Sequence, residues 1–195
     1  MKLILIYLSF SIFLLGCKES YTPKPRGYFR IDFPEKQYHP IDHEFPYQFE
    51  IPQYATIRPD FRNPDQPSWI NIEFPANKAE VHISYYSILQ NKNKNREHLA
   101  ELLEETRELA YKHSVKANAI EEQLYLNPDD DVYGILYRID GNVASPMQFF
   151  LTDSTTHFLR GALYIRATPD IDSLKPVVDF LEKDVVYLIE STKWE

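Results

Sequence analysis

Within Asp153-Ser154-Thr155-Thr156-His157 an acid, a hydroxyl and an imidazole fall inside five residues, the three side-chain types that nucleophilic hydrolysis combines. Such catalysis needs them converged in space beside an oxyanion hole, and neighbours along one turn do not have that geometry. Neither Ser145 nor Ser154 stands in a G-x-S-x-G elbow. Asp, Ser and Thr also bond their own backbone in turns, so the stretch is read as a link between two strands. His39 and His43 would place two imidazoles on one metal if their segment were helical. Pro40 argues against that helix and no third ligand is identifiable, so surface histidines are expected and no metal. Asn127-Pro128-Asp129-Asp130-Asp131 gathers three carboxylates, but the D-x-D-x-D-G spacing of a calcium loop is missing and Asn-Pro marks a turn. Glu101, Glu104, Glu105 and Glu108 offer paired carboxylates for acid–base work, yet the run reads as the wet face of a helix, with Arg107 at helical spacing from Glu104. None of these groups is assigned a catalytic, cofactor-binding or metal role, and the expectation is a protein that is not an enzyme.

Cys17, the single cysteine of the chain, is different. It follows an apolar run from Leu3 to Leu15, which as a helix spans roughly 20 Å, short of the roughly 30 Å hydrocarbon core. The run is therefore read as the h-region of a cleaved leader and not as a permanent span. Leu14-Leu15-Gly16-Cys17 resembles the bacterial lipobox, with Leu15 where a small residue is more usual. A lone thiol in an exported protein has no disulfide partner, and lipidation gives it a use. Several acyl chains at about 0.8 kcal/mol per buried methylene hold far more firmly than one. Residues 1–16 are thus expected to be a lipoprotein signal peptide, 17–26 a lipidated tether with two prolines reaching about 30 Å, and 27–195 a single domain.

Loss of Lys2 with the leader takes the net charge from −8 to about −9. So acidic a body repels phosphate, and no Lys/Arg cluster with interleaved aromatics offsets it, which excludes nucleic acid as a partner. Five glycines against 14 prolines, 14 tyrosines and 12 phenylalanines leave little for phosphate-cradling loops and much for aromatic strands.

The elements that must position these residues follow from periodicity. Ile70, Ile72 and Phe74 alternate with Asn71 and Glu73, and Val81, Ile83 and Tyr85 with His82 and Ser84, a hairpin across residues 76–78. Leu99, Leu102, Leu103, Leu109 and Ala110 predict an amphipathic helix over 96–115. Strands follow over 119–126, 132–139, 146–152 and 157–167. The last puts Leu159, Leu163 and Ile165 inward and Arg160 and Arg166 outward. A second helix over 173–191 carries the stripe Leu174, Val177, Val178, Leu181, Val185 and Leu188, capped by Asp172 or Ser173, with Pro176 in its first turn. Strands, helix, strands, helix predict an α+β fold, an antiparallel sheet with two main helices packed on it. Residues 27–38 are expected to lie as an extended edge segment ended by Pro34. The aromatics of 28–38 and 45–49 either form an exposed partner site or cover the sheet edge as core.

"PKPRGYFRIDFPEKQY" (23–38), "SWINIEFP" (68–75) and "NVASPMQFFLTDSTTHFLRGALY" (142–164), in that order behind a lipoprotein leader, resemble the gliding motility lipoprotein GldD family of the Bacteroidetes. The resemblance implies a lipid-anchored envelope protein, most simply facing the periplasm, required for gliding motility and the linked type 9 secretion system. It implies no enzymatic activity and no cofactor, with other motility and secretion envelope proteins as partners and Cys17 as the lipidated residue. Another reading is a small-ligand-binding envelope lipoprotein, which needs a concave apolar cavity between sheet and helices.

Overall fold

The computed structural model describes residues 31–42, 44–89, 95–168 and 171–195. The leader, Cys17, the tether, residues 27–30 and His43 lie outside the described residues.

The alternating runs fold as strands. In chain order the elements are β1 (Tyr38–Pro40), β2 (Tyr47–Gln48), β3 (Glu50–Pro52), β4 (Thr56–Pro59), β5 (Ile70–Phe74), β6 (Ala79–Ser87), α1 (Asn95–Tyr111), β7 (Ala117–Asn127), β8 (Val132–Gly141), β9 (Met147–Thr152), β10 (His157–Ile165), α2 (Ile171–Glu190) and β11 (Lys193–Trp194). Seven strands pair antiparallel in the order β4-β5-β6-β10-β9-β8-β7. Two short antiparallel pairs, β1 with β3 and β2 with β11, accompany the sheet. The α+β class with an antiparallel sheet and two main helices is the one the periodicity predicts.

The helices take opposite faces. Leu136, Phe149, Leu151, Leu159 and Leu163 pack with Leu181, Val185, Leu188 and Ile189 of α2. Their strand neighbours Tyr137, Phe150 and Phe158 point the other way and pack with Leu102 and Ala110 of α1. With both faces covered, all six side chains of β9 are buried. α1 carries the chain from β6 to β7, four strand spacings apart at roughly 4.8 Å each, and 17 residues at about 1.5 Å rise bridge that distance along the sheet surface. Gly161 of β10 lies opposite Phe149 of β9. An added Cβ there would run into the Phe149 ring, so the ring takes the space the glycine leaves.

Three expectations need correction. Residues 31–37 form no strand and lie against α2 instead of a sheet edge: Phe33 stacks on Phe180 at 4.2 Å and Tyr38 on Tyr187 at 3.8 Å. Pro34 therefore ends nothing, and pairing begins beyond it at Tyr38. The second helix starts at Ile171, ahead of its expected caps, so Pro176 falls in the second turn and one N–H is lost from the ladder there.

Candidate functional site

The sequence groups with catalytic types occupy structural positions. Asp153 caps the β9–β10 turn: its Oδ1 accepts from the backbone N–H groups of Thr155, Thr156 and His157 at 2.8–2.9 Å, and its Oδ2 from the Thr155 hydroxyl. Burial pushes the Asp153 carboxyl up, and these hydrogen bonds more than offset it, leaving the group below its ordinary pKa. Ser154 sits at φ 66°, and its N–H donates to the Thr152 hydroxyl. Its side chain makes no bond to His157 among the described residues. His157 turns away from that serine. Its ring stacks on Trp194 at 5.1 Å and its Nδ1 lies 2.9 Å from the Tyr85 hydroxyl. Burial pushes the imidazole pKa down, against the opposing pull of Asp153, which favours the neutral ring. Ser145 is fully buried and its Oγ is 3.4 Å from the Met147 carbonyl.

The turn at 127–131 joins β7 to β8, and its groups are similarly engaged. Asp130 is 3.5 Å from Lys193 Nζ and accepts from the Asn127 amide, while the Asp131 carbonyl accepts from Trp194 Nε1 at 3.0 Å. The C-terminal β11 thus ties both suspect turns to the body. His39 is exposed on β1 with Nδ1 beside the Pro40 carbonyl, and no group of three metal-ligating side chains occurs among the described residues. Glu101, Glu104, Glu105 and Glu108 are all exposed, and Arg107 lies over the Tyr111 ring at 5.4 Å.

The aromatics of 45–49 are core: Tyr47 and Phe49 are fully buried and stack at 5.5 Å. That removes them as a contact surface. The large exposed apolar side chains among the described residues are Ile31, Phe61, Leu89, Tyr111, Val115, Leu124 and Leu126.

The structure also assembles a cluster that periodicity alone passed over. Asp184 sits on the apolar stripe of α2 and is 2 % exposed. Its Oδ1 is 2.7 Å from Lys36 Nζ and 2.9 Å from the Tyr38 hydroxyl, and its Oδ2 accepts from the Tyr54 hydroxyl at 2.6 Å. Lys36 Nζ also donates to the Phe180 carbonyl and lies 3.7 Å from the centre of that ring. Burial, reinforced by the Asp184 charge, pushes both phenols well above their ordinary pKa, so they stay protonated and donate. Lys36 and Tyr38 belong to the segment that leads from Cys17, so this cluster fastens the start of the domain to its last helix. A signal was present: Asp184 falls three residues after Leu181 and four before Leu188, a carboxylate in the phase of a buried stripe.

A second polar assembly lies on the α1 side of the sheet. A chain of ion pairs and hydrogen bonds runs across β4, β5, β6 and β10. Arg58 pairs with Glu73 at 2.9 Å, Arg166 with Glu73 and Glu80, and Glu80 with His82 at 3.1 Å. Arg62 joins the chain from the loop after β4, with one terminal nitrogen 3.2 Å from His82 Nδ1 and its Nε 3.5 Å from Asp60. Beside this chain opens a cleft of about 290 Å³. The recess between sheet and α2, lined by Ile139, Val143, Ile165, Leu174 and Val178, holds only about 60 Å³, well below the roughly 300–1,000 Å³ of ligand pockets.

No helix among the described residues is long and apolar enough to cross a membrane. Comparison with curated proteins gives no significant match. Among solved structures, the solution structure of cyanobacterial PsbP (CyanoP) from Synechocystis sp. PCC 6803 is similar, with a TM-score of 0.50 at 10% identity, covering 93% of this chain and 99% of that one. At that identity the likeness is one of fold. The sequence profile of the family described as "Gliding motility lipoprotein GldD" matches residues 18–194, nearly the whole chain, and the protein therefore belongs to the gliding motility lipoprotein GldD family.

Proposed function

We propose that the protein is a non-enzymatic assembly or structural component of the gliding apparatus and of the type 9 secretion system linked to it. Cys17 carries its lipid, the body faces the periplasm, and its partners are other envelope proteins of the same machinery. The family match over residues 18–194 carries this reading. The Asp184 cluster supports it physically. Phe33, Lys36 and Tyr38 hold the first described stretch of the chain firmly against α2.

The test uses a deletion strain complemented with the wild-type chain or with Cys17→Ser. The wild type is expected to fractionate with membranes and to restore both spreading and secretion. Cys17→Ser should appear in the soluble fraction and restore neither. Spreading by the deletion strain would overturn the motility role, and normal secretion by it the link to secretion. Membrane retention of Cys17→Ser at the wild-type level would overturn the anchor. Affinity capture from gently solubilised envelopes should bring down other motility proteins with the wild type and not with Cys17→Ser.

A further inference from the structure

The cleft beside the charge chain has a floor and a wall of different origin. Its floor is the face of β5, β6 and β10, where Asn71 lies opposite His82, His82 opposite Ala162, and Ser84 opposite Arg160. Ala162 is the smallest side chain of that patch, and the depression forms over it. Its wall is the loop from Asp60 to Trp69, which is already braced. Asp60 N–H donates to the Trp69 carbonyl at 3.0 Å, the Asn63 amide donates to Asp60 Oδ2 at 2.7 Å, and Trp69 Nε1 donates to the Tyr85 carbonyl at 2.7 Å. A ligand would meet a formed surface and pay little to order it.

The charges of this face do not close. Glu73, Glu80 and Asp60 are each already engaged by Arg58, Arg166, His82 or Arg62. Arg160 remains half-buried at the floor, with no carboxylate within ion-pair distance among the described residues. A guanidinium in a partly desolvated cleft attracts an acid group, and its planar fork suits the two oxygens of a carboxylate. A single unspent positive charge matches a monoanion better than a phosphate dianion. Asn71, Ser84 and Tyr164 add neutral hydrogen-bonding groups around it, and the volume limits the occupant to a small polar molecule or the end of a larger one.

We infer that this cleft is a binding site for a carboxylate-bearing polar ligand, with Arg160 receiving the carboxylate and Asn71, Ser84 and Tyr164 the hydroxyl or amide groups beside it. The site is independent of the lipid anchor and of the contacts proposed above.

The test titrates the detergent-solubilised full chain with glucuronate and with N-acetylalanine, each against its uncharged counterpart, glucose and N-acetylalanine amide, and with inorganic phosphate as a further arm. Saturable binding of at least one of the two acids is expected, about ten-fold tighter than that of its uncharged counterpart and of phosphate. The preferred acid tells a sugar acid from a peptide-like terminus. Arg160→Gln should weaken that binding about ten-fold or more, and Asn71→Asp should weaken it by placing a second negative charge on the floor. Lys175→Gln, a charge change on the far face, should leave it unchanged. Circular dichroism and thermal unfolding check that each variant is folded, and if Arg160→Gln is not, Asn71→Asp decides. Failure of both acids to bind, equal binding of the preferred acid's uncharged counterpart, phosphate binding as tightly as the preferred acid, or unchanged affinity in the folded variants would each overturn the inference.

Discussion

At the scale of single residues, an acid, a serine and a histidine in one turn do not engage one another. Asp153 gathers three backbone N–H groups, and His157 lies between Trp194 and Tyr85. Both groups make stability depend on pH in the same direction. The folded state holds His157 below its ordinary value of 6.5, so the unfolded chain takes up more protons as pH falls through that value, and folding weakens. Asp153 contributes above its ordinary value of 3.8, and that contribution is lost as pH falls further, through its lowered folded value. His157→Phe, which retains a ring beside Trp194, should flatten the decline of the melting temperature between about pH 7 and 5, leaving the more acidic limb in place. Ser154 holds φ 66°, a conformation that costs an L-residue about 1 kcal/mol and glycine almost nothing. Ser154→Gly should therefore raise unfolding stability by about 1 kcal/mol in a denaturant titration and leave spreading intact, whereas loss of spreading in the folded variant would mark the hydroxyl as functional. The turn was legible in the sequence because Asp, Ser and Thr act on their own backbone. The partners of His157 were not, since Tyr85 and Trp194 lie 72 and 37 residues away.

At the scale of elements, the apolar stripes of both helices and the alternation of β5, β6, β8 and β10 could be read directly, because periods of 3.6 and 2 are local consequences of backbone geometry. Three- and two-residue strands have too few residues to show a period, so β1, β2, β3 and β11 were not foreseen, nor was β4 at the sheet edge. Asp184 is the residue where the helical pattern is broken for a reason outside the helix. Lys36→Met would leave its carboxylate buried with only two phenol donors, and a loss of about 3 kcal/mol in unfolding free energy is expected. Asp184→Leu in the same background should cost much less than in the wild type. A double-mutant cycle by denaturant unfolding would then give a coupling of about 2 kcal/mol between the two positions. Additive effects would mean that the segment is held by the stacking of Phe33 and Tyr38 alone.

At the scale of the whole molecule, covering the sheet on both faces concentrates protection at its centre. Amides of β9 and β10 should exchange most slowly, near the global unfolding limit. Those of β7, the edge strand where Leu124 and Leu126 are exposed, and of residues 31–37 should exchange through local opening, as measured by hydrogen exchange with mass spectrometry. Long motifs and composition determined the family, the fold class, the acidic character and the expectation of an anchor at Cys17, because each is written in contiguous residues. What only the tertiary structure decided is which residues meet across the chain: the two helices on opposite faces, the aromatics of 45–49 in the core, Lys36 on Asp184, and Arg160 left without a carboxylate in a cleft walled by a distant loop. The reason is physical. Local patterns report the interactions of a residue with its own backbone and its neighbours in phase, whereas burial and charge pairing depend on strand order, which brings β6 beside β10 across the whole of residues 88–156.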